Sequence, residues 1–376
     1  MGLNKHKLGE LIELCELKNN NLEYNLDDFK GISIQKKFIE TKANMEGVSL
    51  KPYYLVKPDF FAYVTVTSRN GEKITLAHNT TNKTYIVSSS YVVFKVKETN
   101  LLDSDYLFMY FNRPEFDRYA RYNSWGSARE TFSWEDMCDI NIELPPLWVQ
   151  KKYVRIYKNM ILNHKNCVDG LDDLKLVCDA YIEGLRKKYK PEPIEKYIRE
   201  INNKNTDGKV KLTQGIDVSM QFIPAKREAE DQESAKVVET GQFAFNKVVK
   251  CGGTKLPIAL RKGPRCVISG SYSVFEVIDK TILHPDYLMM WLSRSETHRY
   301  CGFNAWGSTR DVFPFEELCK LEFPIPPYSI QKSIVDIYNV YNLKKALGEK
   351  MKFKISSICP ILIKGAIEEG KRIAEV

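Results

Sequence analysis

One short motif with potentially reactive side chains occurs twice in the chain. Gly126-Ser127-Ala128-Arg129-Glu130-Thr131-Phe132 returns as Gly307-Ser308-Thr309-Arg310-Asp311-Val312-Phe313. A serine nucleophile needs a neighbouring base, and neither serine has a histidine partner at a repeated position. We therefore interpret the motif as a framework turn, in which glycine adopts an unusual backbone angle and phenylalanine enters the core. Arg129 and Arg310 would form a salt link or bind a phosphate.

Motifs for other kinds of catalysis are absent from the sequence. Pro326-Pro327-Tyr328 resembles the end of an amino-methyltransferase motif, but Ile325, and Leu144 in the first copy, replace the required Asn or Asp. There is no glycine-rich dinucleotide loop and no phosphate-binding loop with Lys-Ser or Lys-Thr. Asp59 and Asp286 each follow a proline, but neither is followed by the Glu-x-Lys of a nuclease. The five histidines form no ligand-spaced cluster, so we expect no metal site and no catalysis by this chain alone.

Composition indicates a globular chain without a membrane segment. Its 376 residues are enough for two domains, and 43% hydrophobic with 28% charged residues is typical of globular proteins. No apolar run approaches the roughly 18 residues of a membrane span, and no signal-peptide core follows the first residues. The nine cysteines include no CxxC pair, which favours a reducing cytoplasm. The net charge of +8 favours an anionic partner without identifying it.

The repeated motif belongs to a duplicated domain. Between Gly126–Gln150 and Gly307–Gln331, nine of 25 positions are identical at a constant offset of 181. The offset changes by a few residues nearer the start of each half, which indicates small differences in loop length. A repeat of this period predicts two tandem homologous domains.

Each half predicts strands followed by helices, because β-branched and aromatic residues dominate its first part. The strands are expected at 60–66, 84–87 and 91–96 in the first half, and at 243–249, 266–268 and 272–277 in the second. A helix is expected from Asp105 to Tyr119, with a counterpart from Asp286 to Tyr300, and each aspartate suits an N-cap. The repeated motif, a short helix, a strand and a Pro-Pro pair follow.

A long helix is predicted after each Pro-Pro pair. In the first half, apolar residues recur in steps of three and four, which is a heptad seam with one polar member. The seam comprises Tyr157, Met160, His164, Cys167, Leu171, Leu174, Cys178, Tyr181 and Leu185. The second helix is less regular, and Pro360 should kink or break it. The two helices could bury their seams against each other, or each could pack on its own domain.

The order of these segments resembles the DNA-specificity subunit of type I restriction–modification systems. A first domain at 1–147 and a central helix at 148–190 precede a second domain at 191–327 and a C-terminal helix at 328–376. The resemblance rests on the doubled Gly-Ser-x-Arg-(Glu/Asp)-x-Phe, the Pro-Pro pair and the glutamine that opens each long helix. It implies an α+β fold, in which two homologous α/β target-recognition domains are separated by two long helices that form an antiparallel coiled coil.

The resemblance also implies a function. Each domain would read one half of a bipartite, asymmetric target in double-stranded DNA, while the helices would set the spacing and dock two modification subunits. Those subunits would carry S-adenosylmethionine and the methylation chemistry, so this chain would need no cofactor of its own. Restriction (translocase) subunits would complete the complex.

Basic loops between the predicted strands are the candidate DNA contacts. They differ between the halves, as two different half-sites require, whereas the repeated motif can only position the DNA. The candidates are Arg69, Lys73, Asn79 and Arg129 in the first domain, and Lys250, Lys255, Arg261, Lys262, Arg265 and Arg310 in the second. Several phosphate contacts would make binding weaken steeply with salt.

Two alternative functions stay open on the sequence. The chain could be the specificity subunit of another methyltransferase–nuclease defence system, or a scaffold that binds only proteins. Binding to random duplex DNA at low and moderate salt separates the scaffold from the DNA-binding proteins.

Overall fold

The chain folds as two compact units. The computed structural model describes residues 3–41, 47–67, 73–127, 129–225, 234–249, 255–308 and 310–375. Unit 1 comprises Met1–Cys167 and Leu347–Val376, and unit 2 comprises Val168–Ala346. Each unit therefore holds one predicted α/β domain together with parts of the long helices.

The elements of the two domains follow the same order, with two further short strands beside the repeated motif of the second half. The first half contains β1 (Lys5–Lys7), β2 (Ile12–Leu14), β3 (Lys30–Ile32), β4 (Phe38–Glu40), β5 (Tyr54–Val56), β6 (Phe61–Val64), β7 (Leu76–His78), β8 (Tyr85–Val87), β9 (Tyr91–Val96), α1 (Ser104–Phe111), α2 (Pro114–Tyr122), α3 (Trp134–Cys138), β10 (Asn141–Glu143) and α4 (Leu147–Val168). The second contains α5 (Leu171–Lys188), β11 (Pro191–Pro193), β12 (Ile198–Ile201), β13 (Gln214–Ile216), β14 (Phe222–Pro224), β15 (Lys236–Val238), β16 (Phe243–Asn246), β17 (Val248–Val249), β18 (Ile258–Leu260), β19 (Cys266–Ile268), β20 (Tyr272–Val277), α6 (Pro285–Leu292), α7 (Ser295–Phe303), β21 (Asp311–Val312), α8 (Phe315–Cys319), β22 (Glu322–Pro324) and α9 (Tyr328–Ala374).

A four-stranded antiparallel sheet organises each unit, and the two sheets have the same register. Their strand orders are β2-β9-β6-β7 and β12-β20-β16-β18. Phe61 lies opposite Phe94, and the equivalent Phe243 lies opposite Phe275. The rings of these pairs stack with centroids 5.0 Å and 4.8 Å apart. Such aromatic cross-strand pairs fix the register of each sheet and begin its core.

The helices on the sheets differ in detail from the prediction. The expected helix 105–119 is two helices, α1 and α2, because Pro114 starts a new helix. Its counterpart is likewise divided, between Leu292 and Ser295. The predicted aspartate caps are wrong, since the N-caps are Asp103 and His284.

The central long helix is interrupted. It was expected to continue through 148–190, but α4 ends at Val168 and α5 begins at Leu171, with Gly170 between them at φ +75°. In contrast, α9 continues through Pro360, so the helix does not break there; a kink at Pro360 stays a prediction. Most of the predicted seam is at least half-buried, but Ile182 is buried where Tyr181 was expected.

Each unit packs one part of α9 against a central helix. In unit 1, Lys152 and Tyr153 of α4 bind Glu369, with Nζ–Oε1 and Oη–Oε2 distances of 2.8 Å and 3.1 Å. In unit 2, Ile334 and Val335 of α9 share the core with Ile182 of α5. A coiled coil along the full length of the helices stays a prediction.

A buried glutamine joins three segments in each unit. Fully buried Gln150 donates from Nε2 to the carbonyls of Leu101 (2.7 Å) and Pro145 (2.9 Å), and its Oε1 accepts from the Asp103 N–H (3.0 Å). The equivalent amide in unit 2 makes the same three bonds. Gln331 bonds the Ile282 and Pro326 carbonyls and the His284 N–H, each at 2.8 Å. The repeated glutamine therefore fixes the start of a long helix to the cap of α1 or α6.

One buried position has different chemistry in the two units. In unit 1, Asp117 accepts from the Ile74 N–H (3.2 Å) and forms a buried ion pair with Lys36 (2.7 Å). In unit 2, His298 stands at the position of Asp117, and its Nδ1 accepts from the Leu256 N–H (3.2 Å). An Nδ1 that accepts is unprotonated, so the fold holds a neutral imidazole. Burial, followed by the nearby Lys255 charge, lowers the pKa of His298.

Loss of the glutamine clamp is expected to destabilise its unit. Gln150→Leu should lower the free energy of unfolding of unit 1 by about 2 to 4 kcal/mol, because one N–H and two carbonyls lose their partner. Thermal and urea unfolding measure this loss. Gln35→Leu, at an exposed position of the same unit, is the control and should stay within about 0.5 kcal/mol of wild type. Equal effects of the two substitutions would contradict the clamp.

The neutral His298 predicts that unit 2 becomes less stable in acid. Because its folded pKa lies below the ordinary 6.5, its contribution is complete above pH 6.5 and is lost as the pH falls through the folded pKa. His298→Gln keeps an acceptor for Leu256 but does not titrate. The difference in unfolding temperature between pH 7.5 and pH 5.5 should therefore be smaller in the variant than in wild type. An unchanged difference would exclude the histidine as the cause.

Candidate nucleic-acid interface

The repeated motif forms a short hairpin in each unit. The Trp125 N–H donates to the Thr131 carbonyl (3.1 Å), and the Thr131 N–H donates back (2.9 Å). Trp306 and Val312 exchange the same two bonds, at 3.2 Å and 3.0 Å. The glycine, serine and arginine of the motif lie between the paired residues, so the hairpin places them at the same position in each unit.

A close approach of the backbone to itself requires glycine at the first position of the motif. Gly126 has φ +140°, and a Cβ there would lie 2.2 Å from the Arg129 carbonyl oxygen. A Cβ on Gly307 would lie 2.1 Å from the Arg310 carbonyl oxygen. Both approaches are too close for any side chain, which explains the glycine in each copy. The expectation of an unusual backbone angle is confirmed at Gly126.

The hairpin also packs beside the strand that leads into each predicted recognition loop. In unit 1, the Thr67 N–H donates to the Glu130 carbonyl at 3.0 Å, and the Phe132 N–H donates to the Thr65 carbonyl at 2.8 Å. In unit 2, β17 pairs with β21 in the same place. The motif phenylalanines, Phe132 and Phe313, are fully buried and anchor the hairpins as predicted.

Most of the predicted DNA contacts within the described residues are exposed. These are Lys73, Arg129, Lys255, Lys262, Arg265 and Arg310. Lys262 forms an ion pair with Asp286 in the first turn of α6, so DNA would have to compete with that carboxylate. Arg69 and Lys250 lie outside the described residues.

Two predicted contacts have structural roles instead. Asn79 is buried, and its Nδ2 donates to the carbonyls of Val56 (3.0 Å) and Lys83 (2.8 Å) while its Oδ1 accepts from the Thr81 N–H (3.1 Å). Because both polar atoms are satisfied within the domain, Asn79 shapes its loop and is not available to DNA.

Arg261 occupies the position of Asn79 in unit 2 and acts in the same way. It is buried, its Nε donates to the Pro264 carbonyl at 2.7 Å, and its Nη1 donates to Gln214. The guanidinium also lies over the Phe222 ring, 5.1 Å from its centroid. The sequence predicted both residues as DNA contacts on the surface. A polar residue after a strand does not indicate whether its side chain points to solvent or into the domain.

Sequence reasoning missed exposed aromatic residues beside the hairpin. Trp125 and Trp306 are 66% and 57% exposed, and Tyr122 and Phe303 are 79% and 89% exposed. Both pairs are related by the offset of 181. The signal was present, since the identical tryptophans directly precede the motif glycines, but identity alone does not separate a core tryptophan from an exposed one.

The described residues contain neither a metal-binding group nor a membrane-spanning helix. No cluster of three or more His, Cys, Asp or Glu side chains with metal-binding potential occurs among them. None of the helices described is long and apolar enough to cross a bilayer.

Comparison with protein families gives the motif its context. Residues 3–166 match the family model described as "Type I restriction modification DNA specificity domain". The matched part of the chain, which holds the first copy of the motif, is similar to a type I restriction–modification DNA specificity domain. The description of the matched domain is one of DNA specificity.

Solved structures share the fold of the chain. The type I restriction–modification S subunit of M. genitalium aligns with a TM-score of 0.62 at 9% identity, and the match covers 99% of this chain and 96% of that one. The HsdS subunit of Thermoanaerobacter tengcongensis aligns with a TM-score of 0.43 at 12% identity, covering 99% and 97%. The M. genitalium likeness therefore extends the shared fold over nearly the whole chain. A comparison with curated proteins finds no match.

Substitution of two arginines in unit 2 should separate a residue that stabilises the fold from one that contacts DNA. Arg261→Met should lower the free energy of unfolding by about 1 to 3 kcal/mol, because the Pro264 and Gln214 oxygens lose their donor. Arg265→Ala should change stability by less than about 0.5 kcal/mol and weaken DNA binding. Unfolding curves and DNA titrations on the same preparations measure both effects. Unchanged stability of Arg261→Met would contradict the structural assignment.

Proposed function

We propose that the chain is the specificity subunit of a type I restriction–modification complex and that each unit reads one half of a bipartite, asymmetric DNA target. The observation that carries this proposal is the repeat itself. Two domains share strand order, register, hairpin and glutamine clamp, yet the exposed loops on that common frame differ in sequence. A conserved frame with divergent loops suits two half-sites of different sequence.

The loop that follows β7 and β18 illustrates the difference. In unit 1 it is shaped by Asn79 and carries Lys83, and in unit 2 it is shaped by Arg261 and carries Lys262 and Arg265. The backbone leaves the sheet at the same register in both units, because Phe61 lies opposite His78 as Phe243 lies opposite Leu260. The exposed cations Lys83, Lys262 and Arg265 therefore follow equivalent strand ends, but they stand at different distances along the chain from that end.

The similarity to the specificity family and the duplication support a proposal for the partners. We propose that the long helices set the distance between the half-sites and dock two modification subunits, one for each equivalent half of the chain. Those subunits bind S-adenosylmethionine and transfer the methyl group, and restriction subunits supply translocation and cleavage. The chain itself acts by recognition without catalysis, in the cytoplasm. The buried free thiols of Cys15, Cys178, Cys266, Cys301 and Cys359 suit a reducing compartment.

The methylome of the host tests the proposal. Deletion of the gene is expected to abolish methylation at one bipartite adenine motif, because the modification subunits lose the subunit that recognises this sequence. Sequencing that detects methylated bases should show the motif in wild type, its absence in the deletion strain and its return on complementation. Other methylated motifs serve as the internal control, and an unchanged methylome would refute the proposal.

A further inference from the structure

Exposed aromatic residues lie beside the motif at equivalent positions in both units. We define the aromatic–arginine cluster as Tyr122, Trp125 and Arg129 in unit 1, and as Phe303, Trp306 and Arg310 in unit 2. All six side chains are exposed. Single exposed apolar side chains are common on protein surfaces, but here two large aromatic side chains are exposed at the same repeat positions in both units.

The backbone that carries the cluster is firmly held. Each tryptophan is paired across the hairpin by two hydrogen bonds. The helix before it ends at an asparagine in both units, and Nδ2 of Asn123 and of Asn304 donates to the carbonyls of Tyr119 (3.0 Å) and Tyr300 (2.9 Å). The aromatic side chains are therefore presented by a fixed frame, which lowers the entropy lost when they bind a partner.

We propose that the cluster is a sequence-independent DNA contact, one in each unit, that positions the duplex against the recognition loops. This inference rests on the proposed function. Two half-sites of different sequence have only their sugar–phosphate backbone in common, so a surface that is the same in both units suits that backbone. The arginine would bind a phosphate, and the aromatic faces would pack on the sugars.

Two features favour DNA over a modification subunit as the occupant. The hairpin is hydrogen-bonded to the end of the strand that precedes each predicted recognition loop, so the cluster is held beside the point where that loop begins. Among the described residues, neither Arg129 nor Arg310 has an ion-pair partner within 4.0 Å, so each guanidinium is free to take a phosphate. In unit 1, Glu130 is instead paired with Arg121.

The test uses the complex with its modification subunits. Trp125→Ala and Trp306→Ala should each weaken binding to the duplex that carries the methylated motif and to a random duplex by the same factor, about 5- to 20-fold. The ratio of the two affinities should stay unchanged. Arg129→Gln and Arg310→Gln should each reduce the slope of log K against log salt by about one. Leu26→Ala, an exposed apolar side chain outside the long helices and the basic loops, is the control and should change neither affinity.

The outcomes separate the possible roles of the cluster. Loss of binding to the cognate duplex alone would mean base reading, and loss of assembly with the modification subunits would mean a protein dock; either result overturns the proposal, as would unchanged binding. Thermal unfolding of each variant, together with Trp125→Phe, which should retain most of the binding, separates a lost contact from a misfolded hairpin. If the wild-type complex shows no preference for the cognate duplex, the proposed function fails, and that result is independent of the variants.

Discussion

The buried glutamine at the start of each long helix is the interaction on which each unit most depends. Its amide satisfies two backbone carbonyls and one backbone N–H at once. An unsatisfied backbone group in a dry interior is costly, so the Pro-Pro strand end, the cap of the first helix and the long helix must be placed together. The recognition domain is thereby coupled rigidly to the helix that is proposed to set the spacing.

The motif hairpin applies a second constraint. It stands at the start of the repeated block, whereas the glutamine stands at its end. Its glycine allows the chain to pass within contact distance of a carbonyl, and its phenylalanine fills the core. The arginine and the preceding tryptophan are therefore exposed at the same place in both units. A fixed frame of this kind lets the adjoining loops diverge without disturbing the core, because the strands that carry the loops are held by the hairpin rather than by the loops themselves.

Much of this architecture could be predicted from sequence, since a repeat and a hydrophobic pattern both report on the core. The strands 91–96, 266–268 and 272–277 were located to the residue. Predictions failed where a single side chain decides the outcome. Gly170 interrupts a helix whose seam looks continuous, α9 tolerates Pro360, and Asn79 and Arg261 turn inward. Such outcomes depend on tertiary partners that lie far away in the sequence.

The position shared by Asp117 and His298 shows how the two halves could diverge. The constraint there is an acceptor for one buried N–H, and a carboxylate and a neutral imidazole both satisfy it. The carboxylate requires a compensating charge, which Lys36 provides, whereas the imidazole does not, and Met220 packs at the place of that lysine. The buried N–H therefore has a different acceptor in each half, while the strand register is the same. A domain whose core can change in this way without loss of register can also exchange its surface loops, and that freedom is what recognition of two unlike half-sites demands.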